Sequence, residues 1–290
     1  MIKLLASDLD GTIVCNNKIT EDDMEAIEKL KHTDIKFVIC TGKTYAMTKD
    51  ICNKLEPAYG IFGNGTQIMN IQTGKEIIRN TITNIQIMDC LKIANKYNLH
   101  IHIYTDHKII AQEKLNYMAY RNYILYKDQV EFEIVDSIEN YIKEKNPNIL
   151  KLILSGEKEL VKVKNEIESK EKVTAIRIKK CGQYIDKVVG KEYEYLDIVP
   201  KHITKYQALM QLSVYLGIPM EQIMTIGDNI NDIEMIKHAG IGVAIGGSYK
   251  RVQNVASYVT KNTAKTGGFA EAVDKFLIGT RSENVYSRRI

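Results

Sequence analysis

Apolar positions along the chain follow two rhythms. Short unbroken runs at Leu4–Ser7 ("LLAS"), residues 35–40 ("IKFVIC") and residues 58–62 ("AYGIF") have the character of strands covered on both faces. Between them the apolar residues recur at helical spacing. After Thr20, "EDDMEAIEKLKH" sets Met24, Ile27 and Leu30 on one side with acids in the first turn, and a second helical stretch spans residues 44–55. This alternation predicts a parallel sheet with right-handed crossovers. The same grammar returns near the other end. Thr204 and Gln207 form a T-x-x-Q capping box ahead of the helix "KYQALMQLSVYLG", which Gly217 and Pro219 stop. Residues 222–226 then read as a strand, "NDIEMIKHAG" as a helix, 241–245 as a strand and 258–260 as a short edge strand.

The middle has its own pattern: helix 84–97, strands 100–104 and 108–111, helix 115–125, strand 149–154, helix 157–170 and strand 173–179. It predicts a separate α/β unit inserted into the first. The expected organisation is therefore α/β: a Rossmann-like core made of residues 1–81 plus 199–290, and an inserted α/β domain at 82–198. The tail "RSENVYSRRI" shows no periodicity and is expected to fray.

Composition narrows the function. With 290 residues, 44% hydrophobic and 26% charged, the chain suits one large or two modest globular domains. A net charge of +4 from scattered basic residues gives no nucleic-acid footprint. No window approaches the roughly 18 apolar residues of a membrane span, and the first apolar run meets Asp8 too soon for a signal peptide. Five dispersed cysteines (Cys15, Cys40, Cys52, Cys90, Cys181) without a C-x-x-C pair argue against a disulfide framework or a structural zinc site. A reduced, cytoplasmic setting is the expectation.

The candidate chemistry sits where apolar runs end. "LLASDLDGTI" closes a core strand with Asp8 and Asp10, then Gly11 and Thr12. In parallel α/β sheets reactive groups collect at such tips. Paired carboxylates repel unless a cation or a shared proton intervenes, and Mg²⁺ takes one or two carboxylates together with phosphate oxygens. Gly11 permits a tight turn and Thr12 can offer its hydroxyl to an anion. "GDNIND" brings a second acidic tip with Asp228 and Asp232, which would complete a carboxylate cage if its strand neighbours the first. Thr41 and Gly42, after the second strand, present a hydroxyl and N–H groups to an anion. Lys205 lies in a first helical turn, against the helix dipole, which asks for a negative partner from elsewhere.

D-x-D-G-T at 8–12, T-G-K at 41–43, "IVPKHITK" ending in Lys205 and "GDNIND" at 227–232, in that order, resemble the haloacid dehalogenase superfamily of phosphohydrolases. The insertion between the second and third motifs resembles the α/β cap of the Cof-like branch. "FGNGT" (62–66), "GVAIGGS" (242–248) and "YVTKNTAKTGGFAEAV" (258–273) are similar to further signatures of that branch, so the resemblance covers the whole core. It implies a Mg²⁺-dependent phosphatase of small phosphorylated metabolites, sugar phosphates first and phospho-cofactors next, working through an aspartyl-phosphate. Asp8 would be the nucleophile and Asp10 the general acid and base. Asp8, the Asp10 main-chain carbonyl and Asp228 would hold the metal, with Asp232 bracing them. Thr41, Gly42, Asn231 and Lys205 would hold the phosphoryl oxygens. The chain departs from the family pattern at Lys43, where arginine is common, at His202 and Tyr206, where glycines are common, and at Thr66 and Gly247. These departures touch substrate choice and leave the catalytic groups intact.

Other readings compete. "TGKT" ends like a Walker A loop, but Lys36 and Phe37 stand where its first glycine belongs. "GNGTQI" and "GIGVAI" lack the last glycine of a dinucleotide fingerprint and read as turns. His100, His102 and His107 could ligate a metal, against a partly exposed strand as the ordinary reading. The lysine-rich stretch after Gly156 reads as a solvated helix face. A phosphotransferase or phosphomutase acting on sugar phosphates, or a non-catalytic phosphometabolite-binding regulator, stands as the alternative function.

Overall fold

The computed structural model describes residues 1–112, 123–156, 159–180 and 193–279. The first elements are β1 (Leu4–Ser7), α1 (Glu21–Lys31), β2 (Lys36–Cys40), α2 (Lys49–Leu55), β3 (Tyr59–Phe62), β4 (Gln67–Asn70) and β5 (Glu76–Arg79). The middle supplies α3 (Asn84–Lys96), β6 (His100–Tyr104), β7 (Lys108–Gln112), β8 (Glu131–Val135), α4 (Ile138–Lys145), β9 (Lys151–Ser155), α5 (Leu160–Glu168), β10 (Val173–Lys180) and β11 (Tyr193–Pro200). The last stretch adds α6 (Lys205–Leu216), β12 (Ile223–Gly227), α7 (Ile233–His238), β13 (Ile241–Ala244), α8 (Lys250–Gln253), β14 (Tyr258–Val259) and α9 (Gly268–Val273).

Two sheets result, and the fold is α/β. In the first, the order β14-β13-β12-β1-β2-β3-β4-β5 puts the all-apolar β1 near the centre, where both faces can be covered. Leu5, Ile39 and Ile226 pack on Ile27 and Phe269 on one side, while Leu4, Ala6 and Val38 pack on Leu209, Leu212 and Met235 on the other. Each of these side chains except that of Ala6, taken fully out of water, contributes about 1.5–3 kcal/mol. Pairing is parallel from β14 through β3, but β4 and β5 extend the edge as an antiparallel hairpin. That hairpin departs from the expected purely parallel sheet: its strands are four residues long, and a tight turn at Gly63–Gly65 feeds the first of them.

The second sheet has the order β10-β11-β9-β6-β7-β8, antiparallel except for β7 with β8. β8, α4 and β11 are elements that the hydrophobic pattern does not single out. In β11 ("YEYLDIVP") the charged Glu194 and Asp197 break the apolar run, although Leu196 and Ile198 are fully buried. The expected helix at 115–125 falls mostly outside the described residues, as does the start of the one at 157–170. One face of this sheet packs under α3, α4 and α5 through Ile103, Leu152, Leu154 and Leu196. The other face carries Tyr104, Ile109, Ile153 and Tyr193 onto Met47 of the first unit.

His102 is 2% exposed and His100 exposed, so the histidine strand is less open than expected. Among the described residues the histidines form no ligand cluster. Cys40, Cys52 and Cys90 are buried free thiols, Cys15 is half-buried, and Cys181 lies outside the described residues. No described helix is long and apolar enough to cross a membrane.

Candidate active site

β1 pairs in parallel with both β12 and β2, with Ser7 opposite Ile226 and Ile39. The Asp8 N–H continues the ladder by donating to the Ile226 carbonyl at 3.0 Å. Asp8 and Asp228 therefore leave neighbouring strands at the same tip. Beyond Asp8 the chain reverses, with the Gly11 N–H donating to the Val14 carbonyl at 2.8 Å. Gly11 has φ +90°, and a Cβ there would sit 2.5 Å from Asp228 Oδ2. Only glycine both adopts that backbone and clears the carboxylate. The Thr12 hydroxyl donates to Asp228 Oδ1 at 3.3 Å. The anion it meets in the structure is therefore a carboxylate of the fold.

Lys205 reaches this tip from the opposite side. The Thr204 hydroxyl caps α6 by accepting the Gln207 N–H, which forms the Thr204 half of the expected box. The lysine in the first turn extends inward, its Nζ 2.7 Å from Asp8 Oδ1 and 2.7 Å from Asp232 Oδ1. All three residues are at most 5% exposed. Asp232 Oδ2 in turn accepts the N–H groups of Asp228 at 3.1 Å and Asn229 at 3.0 Å, so both Asp232 oxygens are committed. Burial pushes the Asp8 carboxyl up to about 6; Lys205 opposes that rise and Asp232 adds to it. Burial alone would lower the Lys205 ammonium, but Asp232 and Asp8 together hold it well above the usual lysine range.

Carboxylate oxygens of Asp8, Asp228 and Asp232 lie within 4.8 Å of one another. Hard anionic oxygens gathered this closely suit Mg²⁺. Because Asp232 already serves Lys205 and two N–H groups, Asp8 and Asp228 are the side chains that fit such an ion, and Asp232 ties the loop N–H groups of Asp228 and Asn229 to Lys205.

Asp10 stands apart from that cluster. Its Oδ1 accepts from Lys43 Nζ at 2.8 Å, and the same ammonium lies 5.5 Å from the centre of the Tyr126 ring. Burial works against the Lys43 charge, but Asp10 outweighs it and the ammonium is held up. In the sequence Lys43 was notable only as a substitute for arginine. The T-G-K turn itself is ordered by the Thr41 Oγ1, which accepts the Lys43 N–H at 3.2 Å, and by the Thr41 carbonyl, which accepts the Asn64 N–H at 3.0 Å. Asn231 Nδ2 donates to Asn64 Oδ1 at 2.9 Å, so Asn231 and the Thr41–Gly42 turn meet through Asn64. Asn64 takes φ +57° inside the "FGNGT" turn. No charge or apolar rhythm in the sequence marks it as part of a site.

The remaining departures from the family pattern have local explanations. Tyr206 stacks on His238 with ring centroids 4.9 Å apart. His202 takes φ +62° and its N–H donates to Thr174 Oγ1 at 3.0 Å. The Thr66 hydroxyl donates to the Phe62 carbonyl at 3.4 Å, closing its own turn. Gly247 has φ +80°, a backbone that glycine accepts without strain.

Comparison with known proteins gives three kinds of match. The family model described as haloacid dehalogenase-like hydrolase matches residues 5–273. The 5-amino-6-(5-phospho-D-ribitylamino)uracil phosphatase YcsE of Bacillus subtilis is 27% identical, over 96% of this chain and 96% of its own. Phosphatase YwpJ of the same organism is 23% identical, over 92% of this chain and 97% of its own. In fold, a haloacid dehalogenase-like hydrolase from Bacteroides thetaiotaomicron superposes with a TM-score of 0.78 at 24% identity, covering 96% of this chain and all (100%) of that one.

Proposed function

Because the chain belongs to the haloacid dehalogenase-like hydrolase family, we propose that the charge cluster at the tips of β1 and β12 is the reaction centre of its phosphatase activity. The chain is a phosphatase of small phosphorylated substrates. The finer reading is a Mg²⁺-dependent hydrolysis of sugar or sugar-alcohol phosphates through an aspartyl-phosphate. The observation that carries it is Lys205 clamped between Asp8 and Asp232 with Asp228 alongside. YcsE is named for a phosphorylated ribityl chain, which favours phosphates carried on polyols.

In this reading a carboxylate oxygen of Asp8 attacks phosphorus, and the bond from phosphorus to the ester oxygen breaks. Asp10 gives its proton to the departing alkoxide. The Asp10 carboxylate then takes a proton from water, whose oxygen attacks the aspartyl-phosphate to release phosphate and restore Asp8. Lys205 keeps Asp8 ionised and offsets charge on the phosphoryl oxygens, which Thr41, Gly42 and Asn231 also hold. Asp8, the Asp10 carbonyl and Asp228 would hold Mg²⁺, which would supply neutralisation of the negative charge gathered at the nucleophile. Most of the work is positioning.

The test is Asp8→Asn. It should release no phosphate from 4-nitrophenyl phosphate above background, and hydroxylamine should trap an acyl-phosphate on the wild type only. Turnover of the variant within tenfold of wild type would sink this reading.

A further inference from the structure

The mechanism above leaves two buried charges next to the reaction centre without a task. Lys151 opens β9 and Asp197 lies in β11, both on the face of the second sheet that meets the first. Their side chains pair at 2.7 Å (Nζ to Oδ2) and are 4% and 2% exposed. Lys151 Nζ also donates to the Gly42 carbonyl at 2.7 Å and stands 5.1 Å from the centre of the Tyr104 ring. Asp197 Oδ2 accepts from Asn64 Nδ2 at 2.8 Å. Asn64 in turn holds Asn231. The pair is thus one hydrogen bond from Gly42 and two from Asn231, both proposed phosphate-holding residues.

A buried ion pair is commonly no more stabilising than well-packed apolar residues of the same volume. This one is also incomplete. Asp197 Oδ1 is fully buried and accepts no hydrogen bond from the described residues, a state that costs about 1–3 kcal/mol. Two of the three Lys151 donors are committed to Asp197 and Gly42. A contact that served only to hold the sheets together would gain by filling the open oxygen. The pair instead keeps a spare acceptor beside a spare lysine N–H, both covered from solvent where the second sheet meets the first. That is the complement of a hydroxyl group, which donates and accepts at once.

We infer that Asp197 and Lys151 recognise hydroxyl groups of the leaving group: a polyhydroxylated, uncharged chain or ring attached to the phosphate held at Gly42 and Asn231. Asp197 Oδ1 accepts from a substrate hydroxyl and the third Lys151 N–H donates to that oxygen or a neighbouring one. Desolvated sites of this kind discriminate strongly, because an analogue without the hydroxyl leaves the polar groups unpaired. The inference rests on the phosphatase reading and deepens it, since these are specificity residues of the same site.

The test compares kcat/KM for ribitol 5-phosphate and for phenyl phosphate, which carries no hydroxyl. In the double variant Lys151→Met/Asp197→Leu an apolar pair replaces the charges, so the fold is retained. Ribitol 5-phosphate should lose at least tenfold more kcat/KM than phenyl phosphate. If the double variant does not fold, Asp197→Asn carries the same comparison. Equal losses on both substrates, or no loss, overturn the inference and make the pair a simple contact between the sheets. Wild type that hydrolyses phenyl phosphate without preferring ribitol 5-phosphate overturns the inference alone. Wild type that hydrolyses neither overturns the phosphatase reading and the inference with it.

Discussion

Replacing Lys205 with methionine keeps the length of the side chain and deletes the cation between Asp8 and Asp232. Lys205 is 1% exposed and each carboxylate oxygen lies 2.7 Å from its Nζ, so solvent screens little of the interaction. Removing one member of a buried ion pair costs about 3–5 kcal/mol, because the partner stays buried and charged. Each kcal/mol lowers the melting temperature of a chain near this size by roughly 2–4 °C, so a fall of about 10 °C is expected in EDTA. The deficit should depend on pH with a definite sign. Asp8 already titrates near 6 in the intact fold, raised by burial from 3.8, and without Lys205 it titrates higher still. The folded variant then holds a proton that the unfolded chain releases, so its stability rises as pH falls through that raised value. The gap to wild type should be widest near pH 8 and narrow towards pH 6, where wild-type Asp8 also gains its proton. Loss of the charge at the nucleophile should lower kcat by about 10²–10³. Calorimetry of the EDTA-treated proteins at pH 8, 7 and 6 reads the first effect, and phosphate release from 4-nitrophenyl phosphate with Mg²⁺ reads the second. A melting gap independent of pH, or kcat within tenfold of wild type, would refute the reasoning.

Two further substitutions separate the parts of the site. Gly11→Ala sets a methyl 2.5 Å from Asp228 Oδ2 on a φ +90° backbone; displacement of that carboxylate should weaken Mg²⁺ binding at least tenfold, and an unchanged calorimetric Mg²⁺ titration would count against Asp228 as a ligand. Lys43→Met removes the 2.8 Å ion pair that orients Asp10 towards the leaving group, and the misplaced carboxyl should lower kcat about tenfold or more. An alkyl phosphate, whose leaving group needs the proton, should lose more than an aryl phosphate, and Lys43→Arg should restore most of the loss. Equal effects on the two substrates would show that Lys43 does not act through Asp10.

How legible these features were depends on what kind of interaction made them. The strands and helices of the first sheet follow from hydrophobic rhythm because they are covered on both faces, and β1, β2 and β12 begin or end within two residues of expectation. The Asp8 and Asp228 tips were readable because a carboxylate directly after a core strand needs a partner. Lys205 was readable because it opposes its own helix dipole. The β4–β5 hairpin was not, since four-residue strands carry too little periodicity to stand out from the turn that joins them. Asn64 and the Lys43–Asp10 pair were not either, because each becomes significant only through a contact across 30 or more residues of sequence.

Lys151 and Asp197 show where the rule that found Asp8 stops. Both are charges inside strands that are otherwise apolar on the buried face, "KLILS" and "YEYLDIVP", and the same desolvation argument applies to them as to "LLASD". What differs is position. A carboxylate at a strand tip has a known destination, the loop side of a parallel sheet, whereas Lys151 at the start of β9 and Asp197 midway along β11 have none until the antiparallel register sets Asp197 opposite Ile153, two residues from Lys151. Register comes from pairing between segments about 40 residues apart, which one-dimensional pattern does not encode. Desolvation therefore identifies charges that need a reason, and topology decides which other charge supplies it. In this chain a lysine answers Asp8 and Asp232 at the tips of the first sheet. In the second sheet Asp197 has a lysine on one oxygen and, among the described residues, no partner on the other, and only the fold's contact with the T-G-K turn says where that pair belongs.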